Sequence, residues 1–373
     1  MGRLITALSL LLLLTLWNQS VVHNHVQDST VIAYFPSNDL AWESVSPNDV
    51  GWNVSALARL VTFAEDHRST ALVVLYNGRI VVEKYWQLEN PRMFTRLRDS
   101  PRGGRRNAEG HPIEDVGSVQ KGVLGILVGL AQNRSLLDLD APVSQYLGRG
   151  WTQATPEQEG RITIRHLMSM SSGLSRAFLY EAAANELWYY NTQVYSRLFD
   201  VLAAVSGQDP HEYTQAWLSE PLGLRDTNWA LRDGGPNPYG LTTTARDLAR
   251  MGLLMLNQGL WDGQRLMNEQ FVELAFDSSQ SRNPAYGLLW WVNGKNRWDD
   301  WTNTGMRSGA FVPTAPDDLI AARGIGDRKI YVVPSLGVVV SRLGGFARYG
   351  DEDEPDRQFF DHEFWRLFRQ ALP

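Results

Sequence analysis

The stretch RKIYVVPSLGVVVSRLG, Arg328 to Gly344, spells out a β-hairpin in local chemistry. β-Branched residues fill both arms, and Pro334-Ser335-Leu336-Gly337 supplies a turn that opens on the fixed φ of proline. A matching signal lies near the other end, in ALVVLYNGRIVVEKYW from Ala71 to Trp86. There, two β-rich runs flank Asn77-Gly78, the dipeptide that best suits a two-residue turn. Between the hairpins the apolar spacing is mostly helical. It predicts helices over Gly122–Ala131, Thr192–Val205 and Ala245–Asn257, the last with threonines to cap it and a glycine to stop it. An amphipathic helix within DRQFFDHEFWRLFRQAL closes the chain. Strands at both ends with helices between them predict an α+β fold. Its antiparallel sheet is built from N- and C-terminal segments flanked by helices, and a mostly helical region, about 120–280, is inserted. No repeat of fixed period is present.

Composition narrows the function classes. The chain has 373 residues, 43% hydrophobic and 20% charged, which fits an ordinary globular enzyme. A net charge of −6 offers no basic face for phosphates, so nucleic acid is not expected as a partner. The basic run RLRDSPRGGRR (Arg96–Arg106) and the acidic run DEDEPD (Asp351–Asp356) both read as solvated loops. With no cysteine there is no disulfide, thiolate nucleophile or Cys-bound metal. The seven histidines (23, 25, 67, 111, 166, 211 and 362) do not fall at metal-ligand spacing, so neither metal nor cofactor is expected. The first 25 residues form a separate segment. Arg3 precedes the apolar run Leu4–Trp17, short for a bilayer span and suited to a signal peptide or N-terminal anchor. An exported domain of residues 31–373, periplasmic or secreted and possible in membrane-anchored form, is the expectation.

Chemistry concentrates in DVGSVQKGVLGILVGLA, Asp115 to Ala131. Ser118 and Lys121 stand three apart, on one face if Ser118 opens the helix. That helix is apolar nearly all round and so buried, which strips water from the ammonium and lowers its pKa. A neutral amine beside a hydroxyl is a general base next to a nucleophile. Lysine is also the informative choice, because it is rare here (residues 84, 121, 295 and 329 alone) and arginine cannot give up its proton.

Two further segments offer partners. In LWYYNTQVYSRLFDVLAAVSG (Leu187–Gly207), Tyr189-Tyr190-Asn191 precede a helix. A tyrosine near an ammonium can pass a proton to a leaving group, and an asparagine can hold a carbonyl or orient the lysine. In AARGIGDRKIYVVP (Ala321–Pro334), Gly324-Ile325-Gly326 stand before a strand, where bare backbone can approach a ligand and a strand-edge N–H can meet an oxyanion.

In this order, the motifs resemble the serine β-lactamase and penicillin-binding-protein superfamily, over about Ile113 to Gly344. The likeness is strongest to the class C-like esterases and amidases that include 6-aminohexanoate-dimer hydrolase. Ser118-Val119-Gln120-Lys121 matches S-x-x-K, and Tyr189-Tyr190-Asn191 followed by Thr192 matches Y-x-N. RITIRHLMSMSSGL (Arg161–Leu174), LTTTARDLARMGLLMLNQG and AYGLLWWVN resemble the family's intervening and later segments. The resemblance implies Ser118 as nucleophile, Lys121 as its base and Tyr189 as proton donor to the leaving group. It implies that Asn191 contacts substrate or Lys121, with the N–H groups of Ser118 and Ile325, beside Gly324, forming an oxyanion hole. No K-T-G occurs; Gly324-Ile325-Gly326-Asp327-Arg328 stands in its place, which counts against efficient β-lactam hydrolysis. Neither S-D-N nor G-x-S-x-G is present.

The function expected is therefore hydrolysis of a small amide or ester through an acyl-enzyme. Trp188, Tyr190, Trp290 and Trp291 are expected near the cleft. The alternative is a non-catalytic relative that binds cell-wall peptide or a partner.

Overall fold

A computed structural model describes residues 34–38, 41–87, 105–232, 238–347 and 358–373. Asn77 and Gly78 take left-handed φ values of 47° and 86°. This turn pairs Ser69–Tyr76 (β1) with Arg79–Tyr85 (β2), antiparallel, with Val74 opposite Val82. Trp291–Val292 (β3), Ile320–Gly324 (β4), Arg328–Val333 (β5) and Val338–Gly344 (β6) complete a six-stranded sheet in the order β2-β1-β6-β5-β4-β3. Every pairing in it is antiparallel. Val74 meets Val340 of β6, so the N-terminal hairpin zips onto the C-terminal one, as the sequence predicts.

Strand alternation sorts the helices onto two faces. Tyr331 of β5 packs on Phe364 and Trp365 of the C-terminal helix Phe359–Ala371, which lies beside α1, Val54–Asp66. The neighbouring Ile330 faces the other way, onto Gly252 of the helix Ala245–Leu256. That face also receives α2, Val119–Asn133, whose residues from Val119 to Ala131 are all buried. Close approach is made possible by glycine. A Cβ at Gly122 would stand 3.0 Å from Ala322 of β4 and 3.1 Å from the Trp290 ring, and one at Gly129 would lie 2.3 Å from the Met267 sulfur.

The inserted region is not helix alone. Arg105–Arg106, Pro112–Asp115, Tyr239–Thr243 and Asn228–Leu231 form a second, four-stranded sheet. Its strand Pro112–Asp115 leads directly to Ser118. The helix expected over Thr192–Val205 breaks into Thr192–Tyr195 and Arg197–Ser206. Ser196 stands at the break, donating its hydroxyl to the Gln193 carbonyl at 2.7 Å, the local bond by which serine competes with helix. The segment 1–25 expected to direct export, the acidic run 351–356 and most of Arg96–Arg106 lie outside the described residues. Among those described, no helix is long and apolar enough to cross a membrane.

Because Met267 and Phe271 fill the space beside Gly129, Gly129→Val should overpack the core. We expect a loss of about 1–3 kcal/mol, read as a lower urea midpoint with an unchanged slope.

Candidate active site

Ser118 stands at the N-terminus of α2, partly exposed, with its side chain not spent on a cap. Gly117 before it has φ 56°, and the Gly117 N–H is held at 2.9 Å by Asp115 Oδ1. Arg232 in turn clamps Asp115 at 2.6 Å. The turn thus delivers Ser118 to the head of a rigid helix.

One turn on, the Lys121 amine lies 3.1 Å from Ser118 Oγ, to which it donates, while only 2% of the residue is exposed. No carboxylate among the described residues pairs with it. Two aromatic rings enclose it instead, Tyr190 at 4.8 Å and Tyr195 at 4.4 Å from their centroids. Lost hydration is the main reason its pKa falls, to about 7, and the positive field of Arg232 adds to the fall. An amine so placed is half neutral near pH 7 and can accept the serine proton.

The tyrosine that meets Ser118 is Tyr190, which corrects the expectation of Tyr189. Residues 187–191 run without helix, and side chains on extended backbone alternate. Trp188 and Tyr190 therefore turn inward together, while the half-buried Tyr189 lies under Arg176, 5.7 Å from its ring. Tyr190 hydrogen-bonds Ser118, which draws its pKa down, but the larger effect of burial holds it well above the usual phenol range. Its phenol therefore keeps its proton at neutral pH. Asn303 Oδ1 accepts the Tyr190 N–H at 2.7 Å, and Trp291 stacks on the Tyr190 ring at 5.9 Å.

Asn191 is placed differently from the motif reading. Its Oδ1 accepts the N–H groups of Gln193 and Val194, capping the helix Thr192–Tyr195, and its Nδ2 donates to the Leu174 carbonyl at 2.9 Å. Both ends of the carboxamide are occupied, so it addresses neither Lys121 nor the cleft. This cap was the signal that could have found Tyr190: an asparagine that opens a helix makes the residue before it the last extended one.

Gly324 and Ile325 lie against the turn that carries Ser118. A Cβ at Gly324 would stand 2.2 Å from the Val116 carbonyl, and one at Gly117 would lie 3.1 Å from the Ile325 nitrogen. Ile325 is 38% exposed, whereas Gly326 and Arg328 beyond it are buried. Trp290, expected near the cleft, is fully buried beneath α2; Trp188, Tyr190 and Trp291 form an aromatic wall with Tyr286. No group of three metal-ligating side chains occurs among the described residues.

Residues 57–343 match the beta-lactamase family, most of the chain, and the protein belongs to that family. Its fold is beta-lactamase-like, and hydrolases recur among its structural neighbours. A Bacillus anthracis structure assigned to 6-aminohexanoate-dimer hydrolase superposes with a TM-score of 0.60 at 16% identity, covering 92% of this chain and 91% of that one. A beta-lactamase/D-alanine carboxypeptidase from Pseudomonas syringae gives 0.59 at 13%, covering 86% and 100%. The hydrolase EstCE1 gives 0.58 at 14%, covering 84% and 98%. In sequence, a protein of Alkalihalophilus pseudofirmus is 24% identical over 331 residues, 81% of this chain and 89% of its own length.

Lys121 should titrate with a midpoint near 7, measured by pH-dependent reductive methylation and mass spectrometry. Arg232→Gln removes a neighbouring positive charge, so the midpoint should move up. A downward move would contradict the assigned field.

Proposed function

We propose that this protein is a serine hydrolase that cleaves a small, uncharged amide or ester through an acyl-enzyme. The observation that carries the reading is a buried amine with no carboxylate partner among the described residues, 3.1 Å from a partly exposed serine hydroxyl. Neutral Lys121 removes the Ser118 proton as Oγ attacks the carbonyl carbon. The carbonyl π electrons move to oxygen, and the N–H groups of Ser118 and Ile325 receive the oxyanion. Removing one such donor typically costs about 10²–10³ in rate. Collapse expels the amine or alkoxide, to which Tyr190 gives a proton, recovered from the Lys121 ammonium. Water then attacks the ester of Ser118 by the same route and releases the acid.

The aromatic wall of Trp188, Tyr190 and Trp291 favours an apolar substrate. Without a K-T-G lysine to hold a carboxylate, simple esters and linear amides fit better than β-lactams. Asp327 and Arg328, which stand where K-T-G would end, are engaged behind the turn, so their departure from that motif gives no support to the non-catalytic alternative. We also read residues 1–25 as an export segment on the strength of the Leu4–Trp17 run; N-terminal sequencing of the native protein tests this.

A fluorophosphonate probe should add one covalent mass to the chain, and none to Ser118→Ala. Failure to label the wild type would remove the hydrolase reading. Tyr190→Phe should lower amide kcat by about 10²–10⁴-fold and ester kcat less, since an alkoxide needs less help to leave. Tyr189→Phe should leave both within about twofold. The kcat/KM profile should rise through about pH 7 as Lys121 loses its proton. An acid limb two pH units lower would exclude Lys121 as base.

A further inference from the structure

We infer that Arg328 and Arg342 are positioning residues that lock the turn Gly324–Asp327 in the shape that keeps the Ile325 N–H beside Ser118. The inference rests on Ile325 as the second oxyanion donor and extends that reading to groups outside the cleft. The turn is not a shape that this chain would hold unaided. Gly326 and Asp327 are consecutive left-handed residues, with φ 73° and 56°, a conformation that glycine and aspartate visit as single residues and that two in succession hold only with support from outside the turn.

What holds it is a set of buried guanidinium groups. Arg328 Nη1 donates to the Ile325 carbonyl at 3.0 Å. Arg342 Nη1 donates to the next two carbonyls, Gly326 at 3.0 Å and Asp327 at 2.8 Å. Three successive peptide planes are thereby fixed from behind. The Asp327 carboxylate adds a fourth restraint, accepting the Ala347 N–H at 2.9 Å and lying 3.4 Å from the Lys329 amine. Each arginine is anchored in its turn. Arg342, fully buried, also donates to Ser69 Oγ and to the carbonyls of His67 and Gly345.

Arg328 pairs with the buried Glu114 at 3.1 Å, and Glu114 also accepts the Gly344 N–H at 3.2 Å and the Thr70 hydroxyl. Glu114 stands four residues before Ser118, on the strand that leads to it. One ion pair therefore joins the segment bearing the first oxyanion donor to the segment bearing the second. Lysine could not replace Arg328, since only a planar fork reaches carboxylate and carbonyl together.

The test uses the full chain, p-nitrophenyl acetate, and rates divided by the serine titrated with fluorophosphonate at completion. A purely structural role would lower the titratable fraction and leave kcat per serine intact. We expect Arg328→Met to lower kcat per serine by about 10- to 100-fold, the scale of a misplaced donor. KM should move less than about threefold, the acid limb set by Lys121 should stay in place, and affinity for phenylboronic acid, which forms a tetrahedral adduct, should fall with kcat. Arg328→Lys should recover little. Values of kcat per serine within about twofold of wild type would overturn the inference. Should Arg328→Met not fold, Glu114→Gln, which keeps the hydrogen-bonding shape and loses the charge, is judged by the same criterion. A wild-type chain that never acylates defeats the hydrolase reading; one that acylates with kcat indifferent to these substitutions defeats the clamp alone.

Discussion

Removing water from a single ammonium group is the constraint around which the rest is arranged. The Lys121 pKa falls because α2 is buried on all sides, and that burial requires the helix to be wedged against the sheet. The glycines of α2 permit the wedge, bringing the helix into contact with Ala322 and Trp290. Tyr190 and Tyr195 then close the remaining approach with rings, which stabilise a cation far less than water does and bring no opposite charge. Had a carboxylate been placed there, it would have held the proton on the amine. The charge of Arg232 pushes the same way as burial.

Elsewhere the same interior treats charge in the opposite manner. Asp361, fully buried, accepts from Arg323, Lys329 and Tyr331, and those partners, chiefly Arg323, hold its carboxyl at about 2 against the opposing push of burial. Arg342 spends its donors on five oxygens. These groups are satisfied and fixed; Lys121 is left without a carboxylate partner among the described residues. A buried charge with full partners is part of the frame, and one stripped of them becomes reactive.

The parts of this arrangement legible in the sequence are those specified locally. The two hairpins, the burial of α2 and the facing of Ser118 by Lys121 follow from alternation, turn residues and a three-residue spacing. Tyr190 was missed by one position because two tyrosines stand side by side and the motif fits on its first; only the helix that Asn191 caps distinguishes them. The helix Val54–Asp66 and the four-stranded sheet passed unread, the latter because its strands are two to five residues long. The clamp behind Ile325 was out of reach altogether. Glu114 and Arg328 are 214 residues apart, and Ser69 and Arg342 are 273 apart, separations at which a sequence offers no hint of contact.

The sheet order has a consequence for how the protein comes into being. Strand β1, next to the edge, finds its inner neighbour only in β6, and the Ser118 turn finds Ile325 only once the segment after β4 is in place. Ser118 and Lys121 are therefore synthesised well before the strands and the turn that pack against their helix from the sheet side. The pairing that frames the turn joins segments far apart in sequence, the kind of contact that folding closes slowly.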